Sequence, residues 1–95
     1  DKFAATENGN NSVVEPDFSV FPNPAYNYFT LRIHKPLKEN YNIFIYDLNG
    51  NQIDTLKNIR LQQVNFNTND YSSGIFMIVL KTESTVRAKK LTIIR

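Results

Sequence analysis

Tyr41-Asn42-Ile43-Phe44-Ile45-Tyr46-Asp47-Leu48-Asn49-Gly50 is the stretch that decides the fold. β-Branched and aromatic residues fill positions 41–48, with Ile43 and Ile45 on one face and Phe44 and Tyr46 on the other. That pattern predicts a strand covered at least partly on both faces. Asn49-Gly50 ends it. Both residue types tolerate positive φ, so the pair predicts a two-residue type I′ turn, with the strand folding back onto Gln52–Lys57.

Working outward, the same grammar recurs. Phe18-Ser19-Val20-Phe21 is short and apolar and stops at Pro22-Asn23-Pro24, where the prolines exclude helix. Tyr28 to His34 alternates, with Phe29, Leu31 and Ile33 on one side. Val64 to Asn67 predicts a brief strand. Gly74 to Leu80 is an apolar run that predicts a central strand, and Val86 to Ile94 predicts the last. Seven short strands, turns every 8–12 residues and no helical periodicity predict an all-β immunoglobulin-like sandwich of antiparallel strands. Residues 18–95 are assigned to it. Residues 1–17 read as a linker to an upstream domain, with Val13 and Val14 able to pair with a sheet edge.

Composition bounds the function. The chain has 95 residues, room for one domain, and 41% hydrophobic residues, enough for one small core. It has no cysteine and one histidine, His34, so disulfide frameworks and His or Cys metal clusters are excluded. A triad would have to be built on that one imidazole. Glu39, Asp47, Asp54 and Asp70 are scattered. Asp47–Asn51 has the flavour of a calcium loop but lacks the bidentate Glu. No catalytic residue, metal site or cofactor is therefore assigned. Phe29, Phe44, Phe66 and Phe76 read as packing residues. Tyr26, Tyr28, Tyr41 and Tyr71 are the candidates if the domain is instead a carbohydrate-binding or adhesive module. A structural spacer is a further alternative.

The net charge of +2 is too small to argue for nucleic acid. Its distribution is uneven: residues 1–17 carry −3, residues 18–80 carry +1 and residues 81–95 carry +4. A basic last strand at a sheet edge blocks strand-to-strand association. It also offers a partner a strand to pair with and charges to read. Alternation places Lys90 on the solvent face, with Lys89 at the strand entrance.

Four features in order resemble one family: Phe18–Ala25 with its Pro-Asn-Pro; Ile43–Gly50; Tyr71-Ser72-Ser73-Gly74-Ile75-Phe76-Met77-Ile78; and Lys89-Lys90-Leu91-Thr92-Ile93-Ile94-Arg95. Together they resemble the type A C-terminal sorting domain of the bacterial type IX secretion system. Tyr71 and Phe76 stand where Leu and Tyr are more usual. The resemblance implies a non-catalytic signal at the end of a larger cargo, with transit through the periplasm of a Gram-negative bacterium and passage through the type IX translocon. A surface sortase-like protease would then cleave within residues 1–17, leaving the cargo released or joined to an anionic lipopolysaccharide at the cell surface. It also implies a monomeric immunoglobulin-like sandwich. Pro22, Asn23, Pro24, Tyr46, Asp47, Gly50 and Gly74 match the family motifs. Lys89, Lys90, Ile93, Ile94 and Arg95 match the strand the machinery would read.

Overall fold

A computed structural model describes residues 17–34 and 39–95; the linker reading of residues 1–16 lies outside them. Seven strands follow one another: β1 (Phe18–Phe21), β2 (Tyr28–Ile33), β3 (Tyr41–Asp47), β4 (Gln52–Ile59), β5 (Gln63–Asn67), β6 (Gly74–Lys81) and β7 (Val86–Ile93). All ladders between strands are antiparallel. They form a three-stranded sheet, ordered β1-β2-β5, and a four-stranded sheet, ordered β4-β3-β6-β7.

Alternation explains the layering. Phe29, Leu31 and Ile33 of β2 are buried, as are Ile43 and Ile45 of β3, Ile78 and Leu80 of β6, and Leu91 and Ile93 of β7. These sets are the inner faces of the two sheets, interdigitated as one core. The Phe29 and Phe66 rings stack at 4.7 Å across the β2–β5 ladder. β6 lies between β3 and β7, as its apolar run predicts; its outward residues Ile75, Met77 and Val79 are half-buried.

The β3–β4 hairpin forms, but its turn differs from the predicted type I′. Gly50 N–H donates to the Asp47 carbonyl at 3.1 Å, so Leu48 and Asn49 are the central residues. Gly50 has φ +86°, whereas Asn49 is not among the positive-φ residues. This is a three-residue loop whose αL glycine makes a bulge. The reason lies in Asp47, whose Oδ1 accepts the N–H groups of Asn49 and Asn51, both at 2.9 Å. That local bonding holds Leu48-Asn49 in an ordinary turn and leaves positive φ to the glycine alone.

Two more irregularities lie further along this ladder. In one, Tyr46 pairs with Gln52 but Ile45 with Asp54, leaving Ile53 as the extra residue; the other comes at Asn58. Tyr41 pairs with Ile59 but Ile43 pairs with Leu56. Asn58 absorbs the extra residue at φ 59°, its N–H donating to Asn42 Oδ1 at 2.8 Å. The bulge re-aims the chain so that Ile59 is buried.

Candidate functional site

Among the described residues, β7 is an edge strand, bonded to β6 and to no other strand. Its register sets Ile78 opposite Lys89, Met77 opposite Lys90 and Phe76 opposite Leu91. The strand begins at Val86, so Lys89 is mid-strand rather than at the entrance, and alternation runs through it. Lys89 therefore shares the inward phase of Leu91 and Ile93. Its ammonium snorkels over the Phe18 ring, 5.9 Å from the centroid. Lys90 projects from the opposite face. The two lysines are thus not a side-by-side pair. Ile93 is 1% exposed and belongs to the core, while Ile94 is 41% exposed.

The proline turn joins this strand from a distance of almost 70 residues. Asn23 Nδ2 donates to the Lys90 carbonyl at 3.1 Å, and Thr92 N–H donates to Asn23 Oδ1 at 3.0 Å. The carboxamide thus stands in for a strand peptide group. Two residues on, Ala25 N–H donates to the Thr92 carbonyl at 2.8 Å, and Ile94 N–H donates to the Ala25 carbonyl at 2.9 Å. Ala25 is fully buried and bridges Ile93 in parallel. Both peptide bonds into the prolines are cis. Leaving β1 in one sheet, the chain crosses to the other and caps the C-terminal half of the β7 edge. The predicted motif and the predicted signal strand are therefore one structural unit.

Arg95 closes the same corner. Its N–H donates to Ser73 Oγ at 3.0 Å, and its guanidinium donates to the Asn69 carbonyl at 2.9 Å and to the Thr68 carbonyl. Thr68 is itself buried and held: its N–H donates to the Asn27 carbonyl and its Oγ1 to the Tyr26 carbonyl, both at 3.0 Å. The planar fork of arginine suits two adjacent carbonyls. The sequence marks Asn23 as a motif residue and Arg95 as part of the strand to be read, but neither as the clamp it is. No local pattern reveals a partner this far away in the chain.

The remaining motif residues shape the scaffold. Asp47 Oδ2 accepts the Asn51 side-chain amide at 3.2 Å. Hydrogen bonds, foremost from the Asn51 backbone, hold its carboxyl below the ordinary value. Tyr46 is half-buried on the outer face, its ring 6.5 Å from that of Phe44. Gly74 opens β6 at φ +151°, a conformation side chains rarely adopt.

The four tyrosines proposed for a sugar platform do not share a surface. Tyr26 and Tyr28 are more than half exposed, but Tyr41 and Tyr71 are buried. Tyr41 OH donates to the Leu61 carbonyl at 2.5 Å and Tyr71 OH to Asp54 Oδ2 at 3.2 Å. Burial raises both phenol pKa values, and the Asp54 charge raises that of Tyr71 further. His34 is exposed, its backbone N–H donating to the Asp17 carbonyl. A cleft of about 580 Å3 lies between Glu39, Asn42, Phe44, Asn58, Arg60 and Lys81. Glu39 is engaged there, accepting Glu83 N–H at 3.1 Å and Ser84 Oγ–H at 2.8 Å.

Comparisons with known proteins bear on the family and the fold. The family model described as the secretion system C-terminal sorting domain matches residues 19–94. Among curated proteins, none matches the chain. The fold is similar to a DUF3244 family protein of Bacteroides vulgatus, an immunoglobulin-like β-sandwich. The TM-score is 0.66 at 14% identity, over 79% of this chain and 82% of that one. It is also similar to part of dimeric latent PorU from Porphyromonas gingivalis, with TM-score 0.61 and 18% identity. That match spans 90% of this chain but only 10% of PorU.

Proposed function

The chain belongs to the family of secretion system C-terminal sorting domains, and from that premise we propose that it is the detachable address of a larger exported protein. A type IX sorting signal sends its cargo to the cell surface or the extracellular space. In the proposed sequence, an upstream cargo in the same chain crosses the periplasm and is delivered through the outer-membrane translocon. A surface sortase-like protease then cleaves within residues 1–17, and the cargo is released or attached to an anionic lipopolysaccharide. The sandwich contributes recognition, not catalysis. The β7 strand is read, through Lys89, Lys90, Ile94 and Arg95, with Ile93 anchoring it in the core.

One observation carries this reading. The motif that opens the family match and the strand that closes it are stitched together by Asn23 and Ala25. A plain spacer needs no such link between its first turn and its last strand.

The test is the intact mass of a reporter fused ahead of residues 1–95 and produced in a type IX-competent host. Exported reporter that retains at most the first 17 residues of this chain supports export with cleavage. Exported reporter carrying all 95 residues refutes the cleavage. A reporter retained in the periplasm refutes the signal.

A further inference from the structure

We propose that Val86–Lys90 of the β7 edge is a docking edge for an extended acidic segment of a partner protein, which adds to the four-stranded sheet as a fifth strand. The proposal deepens the sorting reading, which supplies the partner's setting; the chemistry of the edge stands on the geometry alone.

The register shows which groups are available. The Lys90 carbonyl, both Thr92 backbone groups and Ile94 N–H all turn away from β6 toward residues 23–25. In an antiparallel ladder this orientation recurs at every second residue. Ala88 and Val86 therefore present N–H and C=O outward, as Lys90 does its N–H. Among the described residues these groups have no partner. The clamp by Asn23 sets one end of the slot at Lys90. The Thr82–Thr85 turn, closed by Thr82 N–H donating to the Thr85 carbonyl at 2.9 Å, sets the other. That stretch is five residues long, about 17 Å at ~3.4 Å per residue.

The side chains select the occupant. A second copy pairing antiparallel about Lys89 would set Lys89 opposite its own counterpart, and like charges directly opposite are destabilising. The edge thus disfavours its own kind, the usual defence of an exposed strand. A foreign strand meets Lys89 on one face and Lys90 on the other. Neighbouring residues of a strand point to opposite faces, so two consecutive carboxylates would answer both lysines at once. Main-chain bonds supply the docking and the two charges the selectivity.

The test uses the 95-residue chain, 15N-labelled and titrated with the peptide Thr-Val-Glu-Glu-Val-Thr and with its Gln-Gln counterpart. The Ala88 and Lys90 amides are expected to shift and to exchange more slowly. The Gln-Gln peptide is expected to bind at least tenfold more weakly. Ala88→Pro removes only an outward N–H, a placement proline tolerates on an edge strand. It and Lys90→Glu should each weaken binding at least tenfold with the fold intact. Shifts confined to other regions, no binding, or undiminished binding by Ala88→Pro would overturn the proposal. The same variants are scored as reporter fusions. Export of the unaltered chain together with full export of Ala88→Pro sinks the docking edge and leaves the sorting reading standing. No export of the unaltered chain sinks the sorting reading, and the titration then decides the edge by itself.

Discussion

Replacing Asn23 by Ala should loosen the C-terminal half of β7 without touching the core. The side chain makes two hydrogen bonds, donating to the Lys90 carbonyl at 3.1 Å and accepting Thr92 N–H at 3.0 Å. Each such bond contributes a net ~0.5–1.5 kcal/mol. Both are exposed, so water can replace the lost partner and the lower half of that range applies. The expected cost is about 1–2 kcal/mol. For a domain of this size, a loss of that order lowers the midpoint of thermal unfolding by roughly 5–15 °C. The backbone bonds of Ala25 to Thr92 and Ile94 remain, so the strand should stay paired at its far end. Thermal unfolding followed by circular dichroism reads the total. Hydrogen exchange reads the location: Thr92 N–H should lose protection, while core amides such as Ile78 change only with global stability. An unchanged midpoint with a protected Thr92 amide would show that the carboxamide is not a clamp.

Acid should loosen the β3–β4 turn. The folded Asp47 carboxyl titrates below its ordinary value, so its stabilisation is present above about pH 4 and is lost as pH falls through the folded midpoint; a carboxyl midpoint at or above 3.8 by NMR would contradict this. Alkali should act through Tyr71, whose folded pKa is raised: its contribution is complete below about pH 10 and disappears as pH climbs toward the folded value. Tyr71→Phe should cost about 1 kcal/mol near neutrality by losing the bond to Asp54, and should lose less stability than the unaltered chain between neutral and strongly alkaline urea titrations. Gly74→Ala should cost about 1–3 kcal/mol through conformation alone, because nothing lies within 4 Å of an added Cβ; a loss below about 0.5 kcal/mol by urea unfolding would refute the strain at φ +151°.

The strands were legible because alternation is local. Phe29, Leu31 and Ile33, or Ile43 and Ile45, declare their shared face within a few residues, and the observed burial follows them. The hairpin was legible as a fold-back but not as a turn type, since the Asp47 side chain outweighs the dipeptide preference of Asn49-Gly50. Exposure was the weakest inference. Tyr41 and Tyr71 look like surface aromatics on composition, yet each finds a single acceptor that lets its ring go inside. Lys89 reads as a free charge, yet its aliphatic stem follows the inward phase to Phe18. The clamps of Asn23 and Arg95 depend on chain segments far away in sequence, and only the assembled sandwich brings them together.

The most direct test of the sorting signal is the location of one reporter in two strains. Residues 1–95 are fused behind a reporter carrying a secretory signal peptide. The fusion is expressed in a host with a working type IX system and in a translocon-deficient sibling, and medium, cell surface and periplasm are assayed in each. The account predicts reporter on the surface or in the medium of the competent host alone, and in the periplasm of its sibling. Stable reporter held in the periplasm of both strains would contradict it.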